Sequence, residues 1–279
     1  MNQIRKDNVW QIIIAGLLKY SLILIVLFIS VYPVLWVFIS SFKEVPGGLG
    51  LPEEWIFNGY ITIFTKLNIA SYFSNSIMVS VLSTIVSVTF VSMAAYVSAR
   101  IQFKGKPLIT LMFASTLFIP PISISFPIYR LINSMGLYDT RTGLVLIYSG
   151  LGIAVTFFVI RNYFLTIPKE MEEVALIDGC SHVVTFFRVI LPLAKPGIAT
   201  AAVLSLLNNW NEFYFAALLL ESKDHMTIPA LLGQFRTAYA RDFNGMFSAI
   251  IVSVVPTILL FSFTSNLFIK SLTAGAVKG

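Results

Sequence analysis

Cysteine, histidine and charged residues are scarce in this chain, and each shortage excludes a class of protein. The single cysteine, Cys180, rules out a disulfide framework within the chain and a cluster of cysteine metal ligands. The two histidines, His182 and His225, are far apart in sequence and lack the spacing of metal ligands. Only 11% of the 279 residues are charged and 57% are hydrophobic, so the composition is not that of a soluble globular protein.

The motifs of common enzyme classes are also missing. No GxxxxGK[ST] phosphate-binding loop occurs, because the only Gly-Lys pair is Gly105-Lys106 and Arg100 stands where the first glycine of the loop would be. Neither a GxSxG nucleophile elbow nor an HExxH zinc motif is present. We therefore expect no catalytic residue, no metal site and no cofactor in this chain, and we expect it not to be an enzyme.

Long apolar runs dominate what is present. A helix needs roughly 20 apolar residues to cross about 30 Å of hydrocarbon. Runs of this length predict spans at about 18–42, 71–99, 107–130, 142–163, 195–220 and 246–269. The expected fold is an all-α integral membrane protein with six transmembrane helices. We divide it into an N-terminal segment with the first span and first outer loop (1–70), a transmembrane core (71–270) and a C-terminal tail (271–279).

The distribution of basic residues predicts the orientation in the membrane. The N-terminus, loop 100–106, loop 161–195 and tail 270–279 carry twelve of the nineteen lysines and arginines. Because basic residues collect on the cytoplasmic side, we expect both termini and these two loops to be cytoplasmic. The net charge of +6 therefore reflects topology, and we expect no binding to nucleic acid.

One cytoplasmic loop, residues 167–197, is a charged island with the pattern of a helical hairpin. It holds four of the thirteen acidic residues, and three of them complement the positive end of a first short helix. Gly179 is the expected left-handed stop after Asp178, and Ser181 the expected cap of a second helix that Pro192 and Pro196 end. The apolar faces of both helices need something to pack against. A hairpin lying on the bilayer surface would also satisfy this pattern.

The spacing within this loop resembles the EAA loop of ATP-binding-cassette (ABC) importer permeases. Glu173-Val174-Ala175, three residues, Gly179, nine residues and then Val189-x-Leu191-Pro192 follow that pattern, with valines replacing one alanine and one isoleucine. In the family this loop docks in a cleft of a separate ATPase subunit. The resemblance implies ATPase-coupling roles for Glu172, Glu173, Val174, Ala175, Asp178, Gly179, Phe186, Leu191 and Pro192.

A polar cluster, NNWNEF, lies inside the fifth predicted span. Polar groups at this depth cost free energy, and Asn208, Asn211 and Glu212 share one helix face at i, i+3, i+4. We interpret these three residues, with Trp210, as part of a substrate path, since amides bind hydroxyls and an aromatic face stacks on sugar rings. The amides could instead bond neighbouring helices. An acid here is expected to be protonated or exposed to water.

Two further segments resemble carbohydrate-type permeases. The third span carries three prolines in FIPPISISFP, and the second ends in AAYVSAR. The C-terminal NLFIKSLTAGAVKG resembles the tail of the smaller permease of maltose-type systems, which implies a second ATPase contact through Gly275 and Lys278. Without the resemblance this tail would be interpreted as a frayed end.

Together these resemblances imply the permease subunit of a sugar or oligosaccharide importer in the cell membrane. The implied partners are a second permease subunit, two ATPase subunits that bind ATP and Mg, an extracytoplasmic sugar-binding protein and the lipid bilayer. A permease for a glycerol phosphoester or a polyamine is the alternative within this class. An ion-coupled secondary carrier is less compatible with the sequence, because Glu212 is the only clear acid inside a span.

Overall fold

A computed structural model describes residues 2–44, 50–238 and 242–276, and every regular element in these ranges is helical. The α-helices are α1 (Asn2–Ser40), α2 (Asn58–Thr65), α3 (Ile69–Arg100), α4 (Lys106–Ser115), α5 (Ser125–Ser134), α6 (Arg141–Gly150), α7 (Ile153–Thr166), α8 (Glu170–Ile177), α9 (His182–Thr185), α10 (Leu191–Leu193), α11 (Lys195–Asn211), α12 (Tyr214–Leu219), α13 (Ile228–Ala238) and α14 (Phe243–Ala276). Short 3-10 turns cover Thr116–Phe118 and Pro121–Ile124, and a π turn covers Phe186–Ile190. The predicted all-α class is confirmed.

Three described helices are long and apolar enough to cross a membrane unaided. They comprise Ile13–Ser40 of α1, the whole of α3, and Phe243–Ser262 of α14. Three further helix pairs reach this length only together, across bends of 102°, 50° and 78°. The predicted number of six spans is therefore reached if each bent pair counts as one span.

The third and fourth predicted spans are not straight helices. The third bends by 102° between Lys106–Phe118 and Pro121–Ser134, because Pro120 and Pro121 cannot continue the α-helical hydrogen bonding. The fourth bends by 50° between α6 and α7, where Gly152 adopts a left-handed φ of 71°. The apolar run at 142–163 did not predict this second break.

The chain divides into two compact units, the first formed by Met1–Leu67 with Tyr239–Val252. In this unit the buried side chain of Asn244 hydrogen-bonds two other segments of the chain. Its oxygen accepts the Gly59 N–H at 2.5 Å, and its nitrogen donates to the Ser41 carbonyl at 2.7 Å. The beginning of α14 thus groups with the N-terminal segment, whereas the predicted division placed it in the core with residues 71–270.

The second unit, Asn68–Ala238 with Ser253–Gly279, is built around α3. Helices α6, α7 and α11 all pack against α3, and α7 also packs against α11. One face of α3 consists of small buried polar residues, which lets helices approach closely in a membrane: Ser76, Ser80, Ser83, Thr84 and Ser87. Where α11 meets α7, the Tyr163 ring lies directly over Gly197, and a Cβ there would come within 2.2 Å of it.

At the end where α3 begins, Asp139 fastens the loop that follows α12. Its backbone has a positive φ of 53°, and its carboxylate accepts the N–H groups of Glu221 at 2.9 Å and Ser222 at 3.0 Å. Burial raises the pKa of Asp139, but the hydrogen bonds from Ser222 and Glu221 outweigh it and hold the pKa below its ordinary value. The candidate site lies at the other end of α3 and part-way along α11.

Candidate functional site

The charged loop folds as a helical hairpin, residues 170–193, whose first turn is made by Gly179. This glycine has a φ of 85°, as predicted. Its N–H donates to the Leu176 carbonyl at 3.1 Å and the Cys180 N–H donates to Ala175 at 3.0 Å, which together close the end of α8. A Cβ at Gly179 would meet no atom within 4 Å, so backbone conformation and not space requires glycine here.

The second half of the hairpin begins as predicted and ends differently. The Ser181 hydroxyl caps α9 by accepting the Val184 N–H at 3.4 Å. The helical path ends at Leu193, between the two prolines predicted to end it, and it passes Pro192 through a π turn that the sequence pattern did not predict. Proline lacks an N–H and its ring collides with the carbonyl four residues back in α geometry, and the wider π turn makes room for it. The chain then bends by 78° into α11.

An aromatic cluster fixes the hairpin to the ends of two long helices. Phe186 is 5% exposed, and its ring centroid lies 4.9 Å from Tyr96 of α3 and 6.3 Å from Phe164 of α7. Ile190 is fully buried in the same core. Burying a side chain of this size contributes about 1.5–3 kcal/mol, so these two residues hold the hairpin firmly against the helical core.

An ion pair adds a second attachment at the same place. The Arg100 side chain, 3% exposed at the end of α3, lies 3.3 Å from the Glu172 carboxylate and donates to the Ile167 carbonyl at 2.6 Å. Burial raises the pKa of Glu172 above its ordinary value, although Arg100 opposes this rise. Glu172 therefore has a partner inside the chain, and its predicted contact with an ATPase stays a prediction.

The outer face of the hairpin lacks such partners. Val174 is 58% exposed and Ile177 is 83% exposed, and only Ala175 of the predicted apolar face of α8 is buried. Glu173 is exposed and forms no ion pair with any residue that the structure describes. A surface with a free carboxylate between exposed aliphatic side chains is suited to docking against another protein.

The predicted coupling residues thus differ in exposure, some facing outward and some packed against the helical core, and their ATPase-coupling roles stay predictions. Exposed positions are Glu173, Val174, Asp178, Gly179 and Pro192, whereas Glu172 and Leu191 are half-buried and Ala175 and Phe186 are buried. Gly275 lies in the last turn of α14. Lys278 lies outside the described residues. The helix extends beyond the predicted span end at 269, to Ala276.

The fifth predicted span is interrupted at the polar cluster. Helix α11 ends at Asn211, Glu212 is extended with a ψ of 119°, and α12 begins at Tyr214. The Glu212 carboxylate accepts the N–H of Phe215 at 3.0 and 3.1 Å and that of Ala216 at 3.3 Å. The carboxylate caps the new helix, so the fifth predicted span is not one continuous helix. Its acid is hydrogen-bonded to the start of α12, and the expectation that it is protonated or exposed to water stays a prediction.

A tyrosine from the fourth span completes this cap. The Tyr148 hydroxyl, in α6, donates to the Glu212 carboxylate at 2.6 Å and is fully buried. Gly152, at the break between α6 and α7, is close to the fifth span as well, since a Cβ there would lie 3.6 Å from the Asn208 amide nitrogen. The interruptions of the fourth and fifth spans therefore adjoin each other.

The remaining residues of NNWNEF point in two directions, as the helical spacing predicts. Asn208 and Asn211 are exposed. Asn209 and Trp210 are buried: Asn209 donates to Thr84 at 3.2 Å, and the Trp210 indole donates to the Ser253 carbonyl at 3.3 Å. Of the predicted substrate-path residues, Asn208 and Asn211 are therefore on an exposed face, and Glu212 is half-buried. Trp210 instead packs between helices.

Three residues of these sites were not singled out from the sequence: Arg100, Tyr96 and Tyr148. The string AAYVSAR contains the first two, but its chemistry becomes visible only when α3 and the hairpin are adjacent. Nothing in the sequence marked Tyr148 as the partner of an acid 64 positions later.

Comparison with known proteins identifies the family. Residues 91–273 match the family model of the binding-protein-dependent transport system inner membrane component. The chain belongs to this family. It is 36% identical over 252 residues to the probable ABC transporter permease protein YurM of Bacillus subtilis, covering 89% of this chain and 84% of that protein. Membership confirms the predicted permease class, and this inner membrane component is not an enzyme.

Two further relatives and one solved structure agree. The arabinooligosaccharides transport system permease protein AraQ of Halalkalibacterium halodurans is 34% identical, covering 90% of this chain and 92% of that protein. The diacetylchitobiose uptake system permease protein NgcG of Streptomyces coelicolor is 32% identical, covering 94% and 88%. A chain of a bacterial ABC transporter involved in alginate import has the same fold, with a TM-score of 0.75, 23% identity, and 91% and 96% coverage.

Proposed function

We propose that this chain is the membrane subunit of an ATP-driven importer for a sugar or oligosaccharide, and that its hairpin transmits the movement of an ATPase. The names of the permease relatives, which include arabinooligosaccharide, diacetylchitobiose and trehalose transport systems, support the substrate class. One observation carries the coupling role: the hairpin is fastened internally by Phe186 and Glu172, while its outer face has no partner in the described chain.

The attachment suggests how force would pass. Helices α3, α7 and α11 meet the hairpin in one buried core, so displacement of the outer face would move their ends together. Tight packing favours rigid-body motion over bending, since packed cores switch between discrete arrangements. In this mechanism of alternating access, closure of the ATPase pair pushes on Glu173 and Ile177, and the spans rock to open the path on the opposite side.

The adjoining helix breaks support a substrate path beside Asn208 and Asn211. Transporter sites form where interrupted helices meet inside the membrane, because free backbone groups and amides can bind ligand there. Amide groups donate to and accept from sugar hydroxyls. In this proposal Glu212 positions the path by holding the α12 start against Tyr148, and Trp210 supports it from the packed side.

The remaining assignments follow from the proposed role. The chain would pair with a second permease subunit and two ATPase subunits, which would bind ATP and Mg, and would receive substrate from an extracytoplasmic binding protein. Both termini and the hairpin would be cytoplasmic, in agreement with the twelve basic residues on that side. Gly275 and Lys278 would form a second contact with the ATPase.

Charge reversal at Glu173 tests the coupling role. In vesicles containing the assembled importer, Glu173→Lys should abolish binding-protein-stimulated ATP hydrolysis and sugar uptake, whereas Glu173→Gln should reduce them mildly. The exposed side chain predicts unchanged thermal stability for both variants. Wild-type uptake by Glu173→Lys would contradict the proposed docking face.

Thiol labelling tests the substrate path. In a chain with Cys180 replaced, Asn211→Cys should react readily with a small water-soluble thiol reagent, and a transported sugar should slow the reaction. Asn209→Cys, on the buried face of α11, is the matched control and should react slowly. Faster labelling at 209 than at 211 would show that the polar cluster only packs helices.

A further inference from the structure

An apolar groove of about 510 Å³ lies beside the hairpin on the second unit. It opens where the chain bends by 78° between α10 and α11, which separates the hairpin from the flank of α3. Its walls come from all three elements: Val88, Thr89, Ser92 and Met93 of α3, Phe186, Phe187, Leu191 and Pro192 of the hairpin, and Lys195, Ile198 and Ala199 of α11.

The charges around this groove have one sign. Among the side chains that the structure describes, Lys195, the first residue of α11, is the only charged one that lines it, and none that lines it is acidic. Lys195 is exposed and makes no hydrogen bond or ion pair within the described part of the chain, and the same holds for Arg188 in the adjacent π turn. An unpaired lysine therefore lines an otherwise uncharged, mostly apolar groove, and Arg188 lies in the π turn between the lining residues Phe187 and Leu191.

The groove also lies at a defined depth. Residues 88–93 precede the end of α3 at Arg100 by seven to twelve positions, which is about 10–18 Å at 1.5 Å per residue. That places the apolar walls within hydrocarbon and Lys195, where α11 begins, at the level of lipid headgroups. Basic pockets between helices on the cytoplasmic side attract anionic headgroups, at about 1 kcal/mol per lysine or arginine.

We propose that this groove binds an anionic phospholipid of the cytoplasmic leaflet, with an acyl chain along α3 and the phosphate at Lys195. The proposal rests on the cytoplasmic placement of the hairpin in the proposed function. The chemistry selects an amphiphile, because walls made mostly of apolar side chains offer few hydrogen-bonding groups to a sugar, and a free anion would leave these walls uncovered. A lipid wedged between α3 and the hairpin would brace the attachment through which movement passes.

Lipid retention in the assembled importer tests this assignment. The complex is reconstituted in vesicles with equal phosphatidylglycerol and phosphatidylcholine, extracted mildly, and its bound lipids are counted by native mass spectrometry. We expect preferential retention of phosphatidylglycerol, about fivefold weaker in Lys195→Gln and unchanged in Lys104→Gln, an exposed lysine in the loop after α3. Ala199→Trp, which fills the groove, should reduce retention of both lipids.

Several results would overturn the proposal. Equal phosphatidylglycerol retention by wild type and Lys195→Gln would remove the headgroup assignment, and displacement of the bound lipid by excess inorganic phosphate would show a free-anion site. Efficient crosslinking of Ala199→Cys to the second permease subunit would show that protein covers the groove. Retention is measured by mass, so failed sugar uptake with the lipid retained would count against the proposed function and not against this site.

Discussion

Two glutamates lie among packed helices in this protein, and they are held in different ways. Glu172, in the hairpin where α3 and α7 end, faces the buried guanidinium of Arg100 at 3.3 Å. Glu212, at the break in the fifth span, has no cation among its described contacts and instead accepts two backbone N–H groups and the Tyr148 hydroxyl.

This difference follows from depth. At the membrane edge an arginine can extend its charge toward Glu172 while its stem stays in the core. Within the span, a second buried charge would add a large desolvation cost, whereas helix N–H groups stabilise a carboxylate through their dipoles without one. The ion pair therefore joins elements far apart in sequence, whereas the cap only starts a new helix two residues later, at Tyr214.

Breaking the ion pair should have the largest effect on folding. Arg100→Leu leaves the Glu172 carboxylate without its cation and the Ile167 carbonyl without its donor. We expect a loss near the low end of about 3–5 kcal/mol, since Glu172 keeps some access to water. Thermal unfolding of the detergent-solubilised protein measures this. Adding Glu172→Gln should recover part of the loss by removing the unpaired charge. No recovery in the double variant would show that Arg100 acts through packing alone.

Strain at the hairpin turn should come next. Gly179→Val must adopt a left-handed φ that a β-branched residue resists, at a cost of about 1–3 kcal/mol. We expect membrane insertion to remain normal while assembly with the ATPase falls, because Val174 and Glu173 are misaligned. Gly179→Asn, which tolerates this conformation better, is the control and should retain most of the assembly. Identical assembly by both variants would make the turn irrelevant to docking.

Removing the intramembrane cap should have the smallest effect of the three. Glu212→Ala frees two N–H groups and leaves the Tyr148 hydroxyl with only the backbone carbonyl of residue 212 as its acceptor. We expect a loss of about 0.5–2 kcal/mol together with slower sugar uptake. Glu212→Gln keeps one acceptor oxygen and should lie between wild type and alanine in both stability and uptake. If alanine equals wild type in both measurements, the helix break does not depend on the carboxylate.

Local rules predicted the parts of this structure that depend on neighbours in sequence. Gly179 and Ser181 were assigned correctly because a left-handed turn and a helix cap are decided within four residues. The opposite burial of Asn211 and Trp210 likewise follows from helical spacing. The roles of these residues in coupling or transport stay predictions, as do those of Gly275 and Lys278.

The features that the sequence did not predict depend on contacts with residues far away in the chain, which no local pattern contains. Glu172 and Glu173 are adjacent in sequence, and what distinguishes them is the ion pair of Glu172 with Arg100, 72 residues earlier. The break at Glu212 needs Tyr148 from another span, and the path past Pro192 needs a π turn that the core around Phe186 stabilises. Apolar runs alone could therefore give the number of spans and not their bends.

The central claim is that the hairpin docks through its outer face while its inner face is fastened to α3. Two apolar residues of α8 test it, in a chain with Cys180 replaced: Ile177→Cys on the outer face and Ala175→Cys on the inner one. With a thiol-reactive photocrosslinker in the assembled importer, we predict crosslinking to the ATPase from position 177, at a rate that changes when ATP binds, and none from position 175. Crosslinking from position 175, or none from position 177 in an importer that still transports sugar, would contradict the account.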